Sequence, residues 1–102
     1  MNQDELAVSF AVDGVAVVTG AAQGIGQAAA VALAQQGADV ACVDLDADRC
    51  AETVALVEGL GRRALAIGCD VSSKSAVDAA AEQVVAELGP IAALATCAGV
   101  LT

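Results

Sequence analysis

The stretch TGAAQGIG, Thr19 to Gly26, decides the fold of this chain. It carries no charge, and its glycines, Gly20, Gly24 and Gly26, stand directly after the apolar run VAVV and directly before a helical pattern. A glycine-rich turn at that place joins a strand to a helix N-terminus, where N–H groups without intrahelical partners and about half a positive charge attract anions. The stretch therefore predicts a loop that binds a phosphate-bearing ligand.

The glycine loop follows the first of four short apolar runs along the chain. Each run is apolar at successive positions, which is typical of parallel strands covered by helices on both faces. The predicted strands are VAVVTG (15–20), DVACVD (39–44), ALAIGCD (64–70) and IAALATC (91–97).

Three stretches with helical spacing of apolar residues separate these strands. Their apolar positions are Ile25, Ala29, Ala32 and Leu33, then Cys50, Val54 and Val57, then Val77, Ala81, Val84 and Leu88. Expected boundaries are Gly37, Gly59 or Gly61, and Gly89-Pro90 as stops, with Ser72 or Ser73 as the N-cap of the third helix. The order β-α-β-α-β-α-β predicts an α/β fold, a partial Rossmann-type doubly wound parallel sheet with strand order 3-2-1-4.

Length and charge limit the kind of protein. With 102 residues the chain is one domain, residues 1–102, or part of one. A net charge of -9, four basic residues and no histidine argue against binding to nucleic acid or to an acidic membrane surface. The N-terminus opens with acidic residues and shows no secretory signal, so we expect a cytoplasmic protein.

The uncharged run Gly14 to Ala38 is long enough to span a bilayer. It contains five glycines and four glutamines, and its pattern changes halfway from a strand to a helix. We therefore expect no membrane segment there.

The four cysteines, Cys42, Cys50, Cys69 and Cys97, include no C-x-x-C pair, and there is no histidine to complete a zinc site. Three of them lie in or just after strand-like runs. They predict buried free thiols and no metal site.

Each glycine of the loop has an expected role. Gly20 allows the sharp turn out of the strand, Gly24 the close approach of the backbone to a pyrophosphate, and Gly26 the tight packing of helix on sheet, so a side chain at Gly24 or Gly26 would intrude. We place Gln23 and Ile25 with them as cofactor contacts. The alternative is a tight connector without a ligand.

Asp44 ends the second predicted strand, beside the loop in this fold. A carboxylate there accepts hydrogen bonds from ribose hydroxyls and repels a 2'-phosphate, which favours NAD over NADP; Leu45 belongs to the same contact. Asp46 and Asp48 are expected to be the N-cap and first-turn acids of the second helix. Arg49 is expected to be a solvated surface charge.

The spacing T-G-x-x-x-G-I-G, the acid after the second strand, the D-V pair and the A-G pair together resemble the classical short-chain dehydrogenases/reductases, from about residue 12 to residue 101. The resemblance implies that Asp70 receives the adenine amino group, that Val71 packs on the ring, and that the backbone of Ala98 and Gly99 runs along the cofactor. The alternative for Asp70 is a helix-initiating acid. The family's usual N-N-A-G reads T-C-A-G here, so Thr96-Cys97 departs from the pattern.

The family resemblance also implies hydride transfer between a nicotinamide cofactor and an alcohol or ketone. In the family this step uses a tyrosine, a lysine four residues later, a serine and an asparagine. This chain has no tyrosine, and Lys74 matches no catalytic position, so we expect no catalytic residue here and place the catalytic segment and the substrate site in a longer form. Two alternatives stay open: a non-catalytic dinucleotide-binding or redox-sensing module, and a scaffold that binds nothing. The fourth strand is central in the complete fold of the family, whereas in this 102-residue chain we expect it to be an exposed edge that invites self-association.

Overall fold

Strands and helices alternate along residues 14–96, which are the residues that the computed structural model describes. The elements are β1 (Gly14–Thr19), α1 (Gly24–Gln35), β2 (Ala38–Asp44), a short 3-10 helix (Ala47–Cys50), α2 (Ala51–Gly59), β3 (Ala64–Gly68), α3 (Lys74–Glu87) and β4 (Ile91–Thr96). The predicted order of elements is confirmed.

All neighbouring strands are parallel, and their order is β3-β2-β1-β4, as predicted. The central position of β2 explains its continuous apolar sequence, because Ala38 to Val43 are buried without interruption. Within residues 14–96, β4 pairs only with β1, so it forms an edge of this four-stranded sheet. All six of its residues are exposed or half-buried, and Leu94 is 64% exposed.

Helices cover both faces of the sheet. Val40 and Cys42 of β2 belong to the core cluster on the face of α1 and α2, whereas Ala41 and Val43 belong to the cluster on the face of α3. This division follows from the alternation of side chains along a strand. The doubly wound architecture predicted from the sequence is therefore present in these residues.

The buried face of α1 differs from the predicted one. Ala29 and Leu33 are half-buried against the core, but Ile25 and Ala32 are exposed, and the buried positions are Gly26, Ala30 and Ala34. These three small residues recur every four positions and form one side of the helix. At Gly26 even a Cβ would meet the backbone of Gly20, so size rather than hydrophobicity decides that position of the buried face.

The predicted helix boundaries are confirmed. Gly37, Gly61 and Gly89 each follow the C-cap residue of a helix, and Gly59 is the last residue of α2. Ser73 is the N-cap of α3, and its hydroxyl accepts a hydrogen bond from the amide of Ala76 at 3.3 Å.

The acids that follow β2 also behave as predicted. Asp46 is the N-cap of the 3-10 helix, where its carboxylate accepts from the amide of Asp48 at 2.9 Å. Asp48 itself lies in the first turn, where a negative charge is favourable.

A carboxylate clamp closes the amino edge of the sheet. Asp39 at the start of β2 accepts hydrogen bonds from the backbone amide of Arg63 at 2.9 Å and from its Nε at 3.0 Å, and Arg62 Nη2 lies 3.2 Å away. Burial raises the pKa of this carboxyl, but the hydrogen bonds and charges of the two arginines outweigh burial, so the pKa is lowered. Arg63 also donates to the carbonyl of Leu88, so the clamp joins β2, the start of β3 and the end of α3.

Cys42, Cys50 and Cys69 are buried free thiols, as predicted, whereas Cys97 lies outside the described residues. Burial, with a smaller contribution from nearby Cys50, raises the pKa of Cys42 to about 12. Burial also raises the pKa of Cys50. Cys42 and Cys50 are therefore neutral packing groups near pH 7.

The long uncharged run of the sequence is divided between secondary-structure elements. Residues 14–38 form β1, the glycine loop and the 12-residue helix α1, followed by the start of β2. Among residues 14–96, no helix has the length and apolar character that a membrane crossing requires.

Candidate functional site

The glycine loop turns sharply at the carboxyl end of β1. Gly20 has a φ of 66°, a left-handed conformation that other residues rarely adopt. Six residues later, at Gly26, α1 passes directly over this turn. A Cβ on Gly26 would overlap the carbonyl oxygen of Gly20 and lie 2.5 Å from its carbonyl carbon, so the close packing predicted for Gly26 is present.

Gly24 occupies a different environment. It begins α1 with a φ of 59°, and a Cβ built on it meets no atom of the described structure within 4 Å. The Cβ of a side chain here would therefore lie in open space beside the loop and would not clash with the described fold. Any obstruction it caused would affect a molecule bound there.

The first turn of α1 is free of side-chain caps. Its N-cap residue Gln23 makes no side-chain capping hydrogen bond, and no acidic residue lies in the first turn. The amides of a first turn lack intrahelical partners, and the helix dipole adds partial positive charge. The N-terminus of α1 is thus available to a bound anion, while the side chain of Ile25 is 69% exposed beside it.

The carboxylate of Asp44 lies against the glycine loop. Oδ2 accepts a hydrogen bond from the amide of Ala22 at 3.2 Å, and Oδ1 accepts from the amide of Leu45 at 2.8 Å. The side chain of Asp44 is 14% exposed, whereas Leu45 is 70% exposed. The structure thus brings together the loop and the acid that the sequence assigned to one site.

Arg49 interacts with this acid, contrary to the expectation of a solvated surface charge alone. Its side chain is 50% exposed, and Nη1 lies 3.8 Å from Asp44 Oδ1. The reason is the 3-10 helix, which begins only three residues after Asp44 and carries Arg49 back toward the end of β2. The sequence predicts Arg49 on an ordinary α-helix, and that geometry does not predict its approach to Asp44.

Hydrogen bonds hold Ala21 on both sides of its Cα. Its amide donates to the carbonyl of Val43 in β2 at 3.0 Å, and its carbonyl accepts from the hydroxyl of Thr53 in α2 at 2.6 Å. Gln27 in the first turn of α1 donates from Nε2 to the Thr53 hydroxyl at 3.1 Å. Sequence reasoning missed this relay, although a threonine between Cys50 and Val57 in an apolar helix face was a visible signal.

Asp70 follows β3 at the same edge of the sheet. The amide of Cys69 donates to the carbonyl of Asp44 at 2.8 Å, which joins the ends of β2 and β3. The carboxylate of Asp70 accepts from the hydroxyl and amide of Ser72, and these bonds lower its pKa. This turn precedes α3, whose N-cap is Ser73, and Asp70 is exposed at the candidate site.

Val71 is 46% exposed and lies at one end of an apolar groove between α3 and the strands β1 and β4. Val17, Val77, Val84 and Leu94 line the same groove. The predicted backbone contacts at Ala98 and Gly99 lie outside the described residues, as does Cys97.

A family model described as short chain dehydrogenase matches residues 14–102. The chain belongs to this family of oxidoreductases. The family resemblance read from the glycine loop and the three motifs after it is therefore confirmed.

Individual relatives agree with this assignment. The chain is 42% identical over 87 residues to 2,3-dihydro-2,3-dihydroxybenzoate dehydrogenase of Bacillus subtilis. This match covers 85% of the chain and 33% of the relative. It is 49% identical over 100 residues to D-threitol dehydrogenase of Mycolicibacterium smegmatis, and this match covers 94% of the chain and 38% of the relative. The chain thus spans little more than a third of the length of these relatives.

Among solved structures, carveol dehydrogenase from Mycobacterium avium in complex with NAD superimposes with a TM-score of 0.76 at 33% identity, covering 81% of this chain and 34% of that one. Members of the family bind nicotinamide cofactors. The similarity extends over most of the described sheet and helices.

Proposed function

We propose that this chain is the NAD(H)-binding part of an oxidoreductase that transfers hydride between a nicotinamide cofactor and an alcohol or ketone. The observation that carries the proposal is the hydrogen bond from the amide of Ala22 to Asp44, at 3.2 Å. It joins an anion-binding helix N-terminus to a carboxylate suited to ribose hydroxyls. In a dinucleotide the pyrophosphate and the adenosine ribose are adjacent, so one molecule engages both groups.

The described residues fit such a cofactor. Gly20, Gly24 and Gly26 shape the pyrophosphate loop, with Gln23 and Ile25 at its open side. The ribose is assigned to Asp44 and Leu45 and the adenine to Asp70 and Val71. The nicotinamide end is assigned to the backbone of Ala98 and Gly99, which lie outside the described residues. When bound, the cofactor supplies the hydride acceptor or donor, while these residues bind and orient it.

The proposed preference for NAD over NADP rests on Asp44. A carboxylate about 4 Å from a 2'-phosphate repels it by roughly 1 to 4 kcal/mol per unit charge, depending on the local dielectric constant. Arg49, 3.8 Å from Asp44, offsets part of this repulsion. We therefore propose a preference of several-fold and not an absolute one.

Substrate and chemistry are assigned to a longer form of the protein. The sequence contains no tyrosine, and its match to the Bacillus subtilis relative covers only 33% of that protein. A serine and a Y-x-x-x-K motif in further sequence would support the oxidoreductase over a non-catalytic dinucleotide-binding module.

We also propose that the 102-residue chain self-associates through β4. This strand is an edge of the described sheet, and the groove beside it leaves Leu94 64% exposed. Unpaired strand edges with apolar neighbours favour pairing with another chain. Sedimentation that shows only monomer at all concentrations would contradict this proposal.

The buried free thiols Cys42, Cys50 and Cys69 favour a reducing compartment, so we keep the cytoplasm as the proposed location.

Calorimetric titration with NAD and NADP at equal ionic strength tests the cofactor assignment. Gly24→Trp places a large side chain in the open space beside the loop, and we expect it to abolish NAD binding. Gly61→Trp is the matched control: Gly61 also has a positive φ, of 83°, and open space around its Cβ, but it lies at the amino edge of the sheet. Equal binding by the two variants would refute the assignment of the loop, and folded wild type that binds neither dinucleotide would refute the proposed function.

A further inference from the structure

We propose that Thr53 and Gln27 are positioning residues for the pyrophosphate loop, acting through the carbonyl of Ala21. This inference rests on the proposed function of the loop. Neither side chain is assigned a contact with the cofactor; together they fix the loop that makes those contacts.

The burial of Thr53 supports a specific task for its hydroxyl. Thr53 is fully buried, and the positions one turn before and after it on the same side, Cys50 and Val57, are fully buried as well. A hydroxyl in such surroundings is unfavourable unless it is hydrogen-bonded, and valine would fill the same volume without that requirement. A threonine within a helix often bonds to the carbonyl one turn earlier, but here the hydroxyl donates to the loop.

The direction of each hydrogen bond is determined by the donors available. The side-chain nitrogen Nε2 of Gln27 can only donate, so the hydroxyl oxygen of Thr53 accepts from it at 3.1 Å. The single hydroxyl hydrogen is then committed to the carbonyl oxygen of Ala21, at 2.6 Å. Gln27 thus orients Thr53, and Thr53 orients the peptide that follows Ala21.

The relay joins the two ends of the proposed anion-binding segment. Ala21 precedes the segment 22–26 and Gln27 follows it, and both are tied to the same hydroxyl on α2. The amide of Ala21 is also bonded to Val43, so the start of the loop is fixed from β2 and from α2. A loop whose amides are already in place loses less entropy when an anion binds, which raises affinity.

The test compares ADP with adenosine, because only ADP carries the pyrophosphate. Binding is measured by NMR titration of wild type, Thr53→Val, Thr53→Ser and Gln27→Met at a temperature where circular dichroism shows every variant folded. We expect Thr53→Val to weaken ADP about tenfold, equivalent to about 1.4 kcal/mol, with less than a twofold change for adenosine. Thr53→Ser keeps the hydroxyl and should restore ADP binding to within about twofold, while Gln27→Met should lie between.

Val54→Ala is the control for general destabilisation, since Val54 is a half-buried neighbour on α2 that packs on the core and takes no part in the relay. If Thr53 and Gln27 position the loop, the Val54→Ala variant should leave the ratio of ADP affinity to adenosine affinity unchanged. Equal loss of both ligands in Thr53→Val, or ADP binding as tight as in wild type, overturns the inference while leaving the proposed function in place. Wild type that fails to bind ADP and NAD refutes both.

Discussion

Replacing Gly26 by alanine should severely destabilise the fold, although alanine is the better helix former. In an exposed helix interior this change stabilises by about 1 kcal/mol. Here the added Cβ would overlap the carbonyl oxygen of Gly20, and it would lie 2.5 Å from the carbonyl carbon of Gly20 and 3.1 Å from Cα of Ala21. All of these atoms belong to the backbone, so no side-chain rotation relieves the overlap.

The magnitude follows from the movement required. Ordinary carbon-carbon contacts lie near 3.5 to 4.0 Å, so loop and helix must separate by about 1 Å or more. Overpacking of that kind costs about 1 to 3 kcal/mol. The shift also strains the hydrogen bonds of Ala21 to Val43 and Thr53, each contributing about 1 kcal/mol. We expect a total loss of about 3 to 5 kcal/mol in the free energy of unfolding, a large part of the 5 to 15 kcal/mol typical of a domain.

Urea denaturation followed by circular dichroism measures this loss, with Gly24→Ala as the control. Gly24 has a φ of 59° but an unobstructed Cβ position, so its alanine variant should lose only about 1 to 2 kcal/mol from backbone strain. A Gly26→Ala protein as stable as wild type, or more stable than Gly24→Ala, would refute the packing argument.

Four further predictions concern charge and capping. Asp44→Asn should raise the affinity for NADP relative to NAD several-fold in paired titrations, whereas an unchanged ratio would remove the acid from the selectivity. Arg49→Gln should shift the same ratio toward NAD by up to about fivefold, since a half-exposed ion pair contributes at most about 1 kcal/mol; a shift toward NADP would contradict its proposed effect. Asp39→Asn should lower the free energy of unfolding at pH 7 by about 1 to 3 kcal/mol. The pKa of Asp39 is lowered in the fold, so its contribution to stability is complete above the ordinary pKa of 3.8 and is lost as the pH falls through the folded pKa. The stabilities of wild type and Asp39→Asn should therefore converge in acid. A difference that stays constant with pH would argue against the clamp with Arg63. Ser73→Ala should cost about 1 kcal/mol by loss of the N-cap of α3, and an unchanged denaturation midpoint would mean that the cap contributes nothing.

Strand positions and helix ends were predictable because they depend on local signals. Four continuous apolar runs correspond to the strands, although β3 ends at Gly68, two residues earlier than its run. The relation between the glycine loop and Asp44 was also predictable, because the carboxyl ends of neighbouring parallel strands lie at one edge of a sheet.

The features that were missed depend on distances between elements. The buried face of α1 consists of Gly26, Ala30 and Ala34, which a pattern of large apolar residues does not reveal. Arg49 approaches Asp44 only because the chain forms a 3-10 turn first. The partner of Thr53 is 32 residues away in sequence, and only the crossing of α2 over the loop brings the two together.

The clamp around Asp39 has a consequence for engineering. It secures one end of the sheet, and the proposed ligand contacts all lie at the opposite end of the same strands. The two ends of β2 therefore have different roles: Asp39 at its start stabilises the sheet, and Asp44 at its end lies among the proposed ligand contacts. Thermostability could be adjusted around Arg62 and Arg63 by laboratory evolution with little trade-off against ligand affinity, whereas substitutions near Asp44 would have to satisfy both demands at once.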